Sequence, residues 1–520
     1  MRIFANLCMI LTYFQVFYCK RVKDSHHKTL LRRKIHMRKR FESQLKLGQT
    51  AIEDVDIPAN SRDELPPVLS ALKWIFIETN IRDQILDLLE TKICGDKQVT
   101  GRRGMDLWHV FCLGIVRLSL DCNYDRLEYL VHYDILLRQI MGLGTDFGGM
   151  FGKCFHHRTI SDNVSLIDED VLAEVNTILL KSGRPLFQSR VGEPLAVKVD
   201  TYVLESNVHF PTDLNLLWDS CRKCTRLLRD LYDNNDIKGW RKWRDWEKKI
   251  KGQMRLCHRI NKGGGANKQE RLESAVKKYL ELAYDLEAKA NKCIEELKDT
   301  FLFVRDYVRL LEAERFQDML IKHIDLIDRR LLKGEQIPHD EKIFSLFEPH
   351  TEWVNKGKLY PSVELGHKLL VATDQYGLIL DYKVMEQTVD GKETLPLVDR
   401  LLKRYGEGNI GSISFDKGFS EQENRELLEL YIPNVAMPKR GKLSLKDEER
   451  EGTKKFKNLR SQHNAIESDI NCLEHHGLNR CPDKGLNGFK RYAGLGVLAY
   501  NLHKIGNCLL AKKNQIKKAA

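Results

Sequence analysis

Three acidic residues stand in surroundings that would let them act together. Asp200 lies in the alternating run Val197-Lys198-Val199-Asp200-Thr201-Tyr202-Val203, Asp416 ends the run Ser412-Ile413-Ser414-Phe415-Asp416, and Glu467 lies in Ala465-Ile466-Glu467-Ser468-Asp469-Ile470. Converging carboxylates repel, by roughly 4 kcal/mol for two of them about 4 Å apart at an effective dielectric near 20. Three stay ionised together only with compensation. Two Mg²⁺ ions, hard and oxygen-seeking, would supply it, and Mn²⁺ could take their place. Held about 3.5–4 Å apart, such ions activate an oxygen nucleophile on one side and stabilise a departing oxygen on the other, with no covalent protein nucleophile. Taken singly, each acid has a simpler reading: Asp200 as a satisfied strand residue, Asp416 as a turn residue, Glu467 as a surface helix charge. The elements that carry them decide.

Around Asp200, Val197, Val199, Thr201 and Val203 alternate with Lys198, Asp200, Tyr202 and Leu204, the period of a β-strand. Residues 213–347 then read as highly charged helix. Gly263-Gly264-Gly265 breaks this block but is no phosphate-binding loop, because no GxxxxGK[ST] pattern surrounds it. Strands are predicted at 367–373 and 378–385, joined by a turn at Asp374-Gln375-Tyr376-Gly377. A helix follows at 395–405, then a strand at 410–416 closed by Gly418. Ser420 with Glu423 forms a capping-box pattern opening a helix to about residue 431. A short strand at 432–437 and a helix at 465–475 precede a Gly-punctuated apolar segment to about residue 510.

With the helical block set aside, the order is strand, strand, strand, helix, strand, helix, strand, helix. This is the order of an RNase H-like α/β fold, a mixed sheet with helices packed on it and a helical insertion between its first and second strands. In that fold Asp200 lies mid-strand. Asp416 shares a face with Ser412 and Ser414, opposite Ile413 and Phe415. Glu467 borders the apolar stripe Ile466, Ile470 and Leu473, a costly place for an acid unless it is paired or metal-bound. Jointly, in this strand order, the metal-binding reading displaces the three separate ones.

The 520 residues suffice for several domains with real cores. With 42% hydrophobic and 30% charged residues, the chain cannot be wholly disordered. A net charge of +12 suits a polyanionic partner, as it also suits a solvated Lys-rich surface. The basic run at 20–40 fits either a DNA-touching arm or a solubilising tail. Residues 1–19 are hydrophobic, but Asn6, Thr12 and Gln15 interrupt them and Phe17-Tyr18-Cys19 is no small-residue cleavage site; no other segment approaches a membrane span. Thirteen irregularly spaced cysteines describe no disulfide framework, and the lone Cys221/Cys224 pair reads as free thiols, as do Cys472 and Cys481. From residue 62 the spacing turns helical, with helices expected at 107–120, 124–141 and 171–180.

Other residues could mislead. Asp374 reads as the start of the hairpin turn. Glu205 and Asp213 read as capping or exposed acids, and His209, His475 and His476 as structural. The set Trp240, Trp243 and Trp246, among Arg241, Lys242 and Arg244, fits a helix packing stripe as well as a DNA-stacking surface.

Several blocks together resemble a known family. Val199-Asp200-Thr201 with residues 205–213, Gly357-Lys358 with Glu364-Leu365-Gly366-His367-Lys368, Ser414-Phe415-Asp416-Lys417-Gly418-Phe419, and residues 465–470 with Gly477-Leu478 and 485–491 are similar to the motif blocks of bacterial insertion-sequence transposases of the DDE superfamily, ISNCY-type group. Met105-Asp106-Leu107-Trp108 and residues 121–126 fit the usual N-terminal domain, so the likeness spans about residues 60–510.

The resemblance implies a DNA transposase that binds terminal inverted repeats, hydrolyses phosphodiester bonds and joins the 3′-OH to target DNA. Asp200, Asp416 and Glu467 would be its catalytic metal ligands. Its partners would be double-stranded DNA and further copies of itself, without a membrane, in the cytoplasm with the nucleoid. Relatives carry a Lys seven residues after the catalytic Glu and an Arg four before it; here those positions are Glu474 and His463. Lys368, Lys417, Arg460 and Arg480 are therefore the expected DNA contacts, and a catalytically silent DNA-binding descendant is the alternative. The implied domains are residues 1–60, a hydrophobic start and basic arm; 61–190, a helical DNA-binding domain; 191–212 with 350–510, the catalytic domain; 213–349, a helical insertion; and 511–520, a basic tail.

Overall fold

A computed structural model describes residues 38–41, 45, 49–95, 104–144, 154–188, 190, 192–355 and 362–519. The hydrophobic start, most of the basic arm, and the Gly357-Lys358 pair lie outside these residues. Arg38 and Arg40, from the end of the arm, are engaged within the chain: Arg38 Nη1 donates to the Met105 carbonyl and to Asn163 Oδ1, and Arg40 pairs with Asp87 and Glu90.

The N-terminal helices are α1 (Leu65–Ile77), α2 (Thr79–Ile93), α3 (Leu107–Ser119), α4 (Tyr124–Tyr133), α5 (Ile135–Ile140), α6 (His157–Val164) and α7 (Glu169–Gly183). The expected helix at 124–141 is two helices. Asp134 breaks it, its backbone extended and its side chain accepting the Leu137 N–H to cap a new helix. After α7 comes strand β1 (Leu195–Ser206), and then α8 (Asp213–Asn234), α9 (Trp243–Lys262), α10 (Lys268–Lys298) and α11 (Val304–Ile327). These four helices enclose a core of their own, including Leu217, Leu228, Tyr279, Leu286 and Leu320.

The remaining elements are β2 (Glu352–Asn355), β3 (Val363–Thr373), β4 (Ile379–Val384), α12 (Asp390–Tyr405), β5 (Ile410–Phe415), α13 (Gln422–Tyr431), β6 (Val435–Ala436), α14 (Leu445–Gly452), α15 (Lys454–His463), α16 (Ala465–Leu473), β7 (Arg480–Cys481) and α17 (Gly485–Ala519). One mixed sheet runs β2-β3-β1-β5-β6, with β4 also on β3 and β7 also on β1. β1 is antiparallel to β3 and parallel to β5 and β7.

Both faces of the sheet are covered. Val197 and Val199 of β1 pack with Ile413, Phe415, Leu397, Leu401 and Leu428 under α12 and α13. Tyr202 and Leu204, on the other face, join Ile466, Leu473, Phe489 and the N-terminal helices in a second core. The N-terminal helices thus share a core with the sheet.

Local details depart from expectation. α12 begins at Asp390 rather than near residue 395, and carries Pro396 inside it. The Ser420/Glu423 capping box does not form; Ser420 Oγ instead accepts the Arg440 N–H. The strand at 432–437 shrinks to two residues. The Gly-punctuated segment and the basic tail are one 35-residue helix. Its glycines mark close approaches: a Cβ at Gly496 would stand 2.6 Å from the Leu478 side chain, and one at Gly506 would overlap the Pro67 carbonyl.

Candidate active site

The pairing of β1 with β5 sets the first two acids side by side. The last paired residues are Val199 and Phe415, so Asp200 and Asp416 follow at the same level of two adjacent parallel strands. β7 takes up that edge of β1 at Glu205. Between them Asp200 to Leu204 have no β5 or β7 partner, which leaves a notch in the sheet. Gly366 keeps β3 close behind it, because a Cβ there would overlap the Leu204 carbonyl oxygen.

Glu467 comes from the first turn of α16, exposed, while Ile466 and Leu473 of that helix are buried. Asp469 fixes the helix. Its Oδ1 accepts from Tyr500 Oη at 3.0 Å and Lys504 Nζ at 3.2 Å, and its Oδ2 lies 3.5 Å from Lys198 Nζ on β1. Lys198 is itself buried, and precedes Asp200 on the same face of the strand. One ion-pair network therefore ties the helix of Glu467 to the strand of Asp200.

The acids act on one another. Burial, then the charges of Asp416, Asp390 and Glu467, push the Asp200 carboxyl up to about 6, against the Thr201 N–H that it accepts at 2.7 Å. Burial also works against the Asp416 charge, but the Lys417 N–H, the Arg460 guanidinium and His463 more than offset it and hold that carboxyl below its usual range. Arg460 Nη2 reaches Asp416 Oδ1 at 3.2 Å, and its Nη1 donates to the Phe415 carbonyl. Arg460 thus supplies a cation beside the second acid, one helical turn before His463. His463 is buried, with Nδ1 3.0 Å from Ser414 Oγ; burial and the Arg460 charge push its pKa down to about 4, so the ring is neutral at pH 7.

A fourth acid, Asp390, was not singled out by spacing. It opens α12, accepts from Lys368 Nζ at 2.9 and 3.1 Å and from Thr201 Oγ1 at 3.3 Å, and raises the Asp200 pKa. A Cβ at Gly418 would stand 2.9 Å from its Oδ2, so glycine lets the turn after Asp416 lie against Asp390. Nothing in the sequence signalled it, because the spacing started this helix only near residue 395.

The expected DNA contacts separate. Arg460 and Lys368 stand beside the acids. Lys417 is exposed next to Asp416, whereas Arg480 pairs with Glu205 at 2.7 Å on β7. Several of the other residues weighed in the sequence have structural partners. Asp374 Oδ1 accepts the Tyr376 and Leu378 N–H groups of the hairpin turn, and its Oδ2 pairs with Arg184. Asp213 pairs with Arg330, His209 lies 2.9 Å from Asp219, and His476 is buried against the Ser119 carbonyl. Trp240 is buried, with Trp243 and Trp246 packed on the same helical core; Cys221 and Cys224 are buried free thiols.

The acids are of the chemical type that takes divalent cations, although among the described residues no three of them bring one oxygen each within 4.8 Å of the others. Lys368 and Arg460 are matched by Asp390 and Asp416, leaving the half-buried Asp200 and the exposed Glu467 as further carboxylates; burial first, and then the neighbouring carboxylates, raise Asp200. Hard oxygen donors of excess negative charge are the set that Mg²⁺ or Mn²⁺ takes.

Residues 328–502 match the family model of the transposase DDE domain. The matched span runs from the end of the insertion into α17, and holds Asp416 and Glu467; β1 with Asp200 lies before it. The match covers about a third of the chain and supports a domain of DDE transposase type there, a class that generally uses divalent metals. No curated protein and no solved structure matches the chain. Among the described residues no helix is long and apolar enough to cross a membrane.

Proposed function

We propose that this chain is a DNA transposase that binds the terminal inverted repeats of its element, hydrolyses phosphodiester bonds there and joins the freed 3′-OH to target DNA. The observation that carries the reading is the parallel pairing of β1 with β5, which sets Asp200 level with Asp416, with Asp390 and Glu467 close enough for their charges to bear on Asp200. β4 lies beside β3, followed by β1, β5 and β6, with β5 and β6 parallel to β1, an order that supports an RNase H-like assignment for the sheet.

Asp200, Asp416 and Glu467 would hold two divalent metal ions. Bound there, such ions would activate the attacking oxygen and stabilise the departing 3′-oxygen of DNA. The protein's own part is placement. The Thr201 N–H turns the Asp200 carboxylate, Arg460 keeps Asp416 ionised and oriented, and the Asp469 network fixes the helix that presents Glu467. Lys368, Lys417 and Arg460 are the candidate phosphate contacts near the acids. On the insertion, Arg222, Arg244, Lys248 and Lys251 surround Trp218 in a shallow groove, a cationic surface of the kind that takes a nucleic-acid backbone. We assign the chain to the cytoplasm with the nucleoid, as a homo-oligomer on DNA, within the ISNCY-type group.

Glu474 and His463, at positions where relatives carry Lys and Arg, favour a second reading as a catalytically silent DNA-binding descendant. Arg460 beside Asp416 speaks against it. Cleavage of a terminal-repeat duplex with Mg²⁺, and its loss with EDTA, separates the two. Asp416→Asn should abolish cleavage while retaining repeat binding; a variant that nicks as fast as the parent refutes the site.

A further inference from the structure

On the N-terminal helices, a second group of ligating side chains joins α4 to the start of α6. Glu128 Oε2 accepts the His157 N–H at 2.7 Å and lies 3.1 Å from His157 Nδ1; Asp125 Oδ1 lies 3.5 Å from the same nitrogen. The His156 ring stands beside that of His157, centroids 4.0 Å apart. One donor atom each from Glu128, His156 and His157 falls within 4.8 Å of the others.

An ordinary ion pair explains the Glu128–His157 contact but not the whole arrangement. Imidazole nitrogens of two adjacent residues offer lone pairs to a shared cation. The spacing fits a shared cation as well: donors held about 2.0–2.2 Å from a tetrahedral zinc ion lie about 3.3–3.6 Å from one another, close to the 3.1 and 3.5 Å seen at His157 Nδ1. Two imidazoles with a carboxylate suit a borderline transition-metal ion, whereas the all-carboxylate group on the sheet suits a hard one.

We propose that Glu128, His156 and His157 bind one divalent transition-metal ion of the zinc class, which fastens α4 to α6, with water completing its shell. This site is independent of the proposed nuclease site, and its test keeps the two apart. The full chain, stripped of metal, is titrated with Zn²⁺ against a chromophoric chelator in excess Mg²⁺, so that the hard site is already filled. One equivalent of Zn²⁺ should bind and raise the melting temperature. His157→Gln and Glu128→Gln should each weaken that binding at least tenfold, while Asp416→Asn leaves it unchanged. Should His157→Gln misfold, as judged by circular dichroism, His156→Asn keeps a side-chain acceptor at the helix cap and must weaken binding on its own. Co²⁺ should give the visible bands of a four-coordinate ion in the parent and lose them in the folded variants. Zinc binding equal in the parent and the folded His156 and His157 variants, or absent with Mg²⁺ present, overturns the proposal.

Discussion

Replacing Asp200 by Asn should stabilise the metal-free protein at neutral pH, the reverse of the usual result for a buried polar residue. The Asp200 carboxyl rises from 3.8 to about 6 on folding, by burial and then by the charges of Asp416, Asp390 and Glu467. Its folded-state pKa lies above the unfolded one. The stabilising share of the protonated form is therefore fully present below about pH 3.8 and lost as pH rises through about 6. A shift of about two units corresponds to about 3 kcal/mol at most, and the partial exposure of Asp200 reduces that to about 2 kcal/mol. Asn keeps the shape and an oxygen for the Thr201 N–H without the charge. Urea unfolding in EDTA, followed by tryptophan fluorescence, should show Asp200→Asn with the higher midpoint at pH 8. That advantage should shrink steadily as the pH falls to 4. Mg²⁺ should raise the parent midpoint at pH 8 and leave the variant almost unmoved. A variant less stable than the parent at pH 8, or equally favoured at pH 4 and pH 8, would mean that the carboxylates do not converge as described.

Arg460→Ala removes the cation that keeps Asp416 ionised; cleavage should fall at least tenfold, and the acid limb of its pH–rate profile should move to higher pH. Asp390→Asn releases Lys368 and removes one of the charges that raise Asp200, so the pH at which the Asp200 carboxyl titrates, read by NMR in the metal-free protein, should fall. Gly506→Ala forces a Cβ against the Pro67 carbonyl and should lower the melting temperature by an overpacking cost on the order of 1–3 kcal/mol, with activity per folded molecule preserved.

Strands and their faces were legible where the period was clean. Val197, Val199, Ile413 and Phe415 alternate with polar neighbours, and they enter the same core under α12 and α13. The hairpin turn was legible too, because Asp374 and Gly377 are turn residues for local reasons: one bonds nearby N–H groups, the other takes a φ of +72°. α17 was not. Glycines are poor helix formers when judged alone, and what makes Gly494, Gly496 and Gly506 suitable there is the close approach of Tyr382, Leu478 and Pro67 from outside the helix. Asp390 was missed for a similar reason, since nothing local joins it to Lys368 or Asp200.

Strand period and turn chemistry act over a few residues, and they already put Asp200 within a strand, Asp416 at a strand end and Glu467 on a helix face. The company these acids keep came from packing between distant segments. Parallel pairing of β1 with β5 puts Asp200 level with Asp416, the Asp469 network fixes the helix of Glu467 to β1, and Arg460 stands beside Asp416 while His463 is buried as a neutral ring. Charge and burial depend on what packs alongside, and at this site those neighbours come from separate segments, β1 lying more than two hundred residues before the segments that carry Asp416 and Glu467.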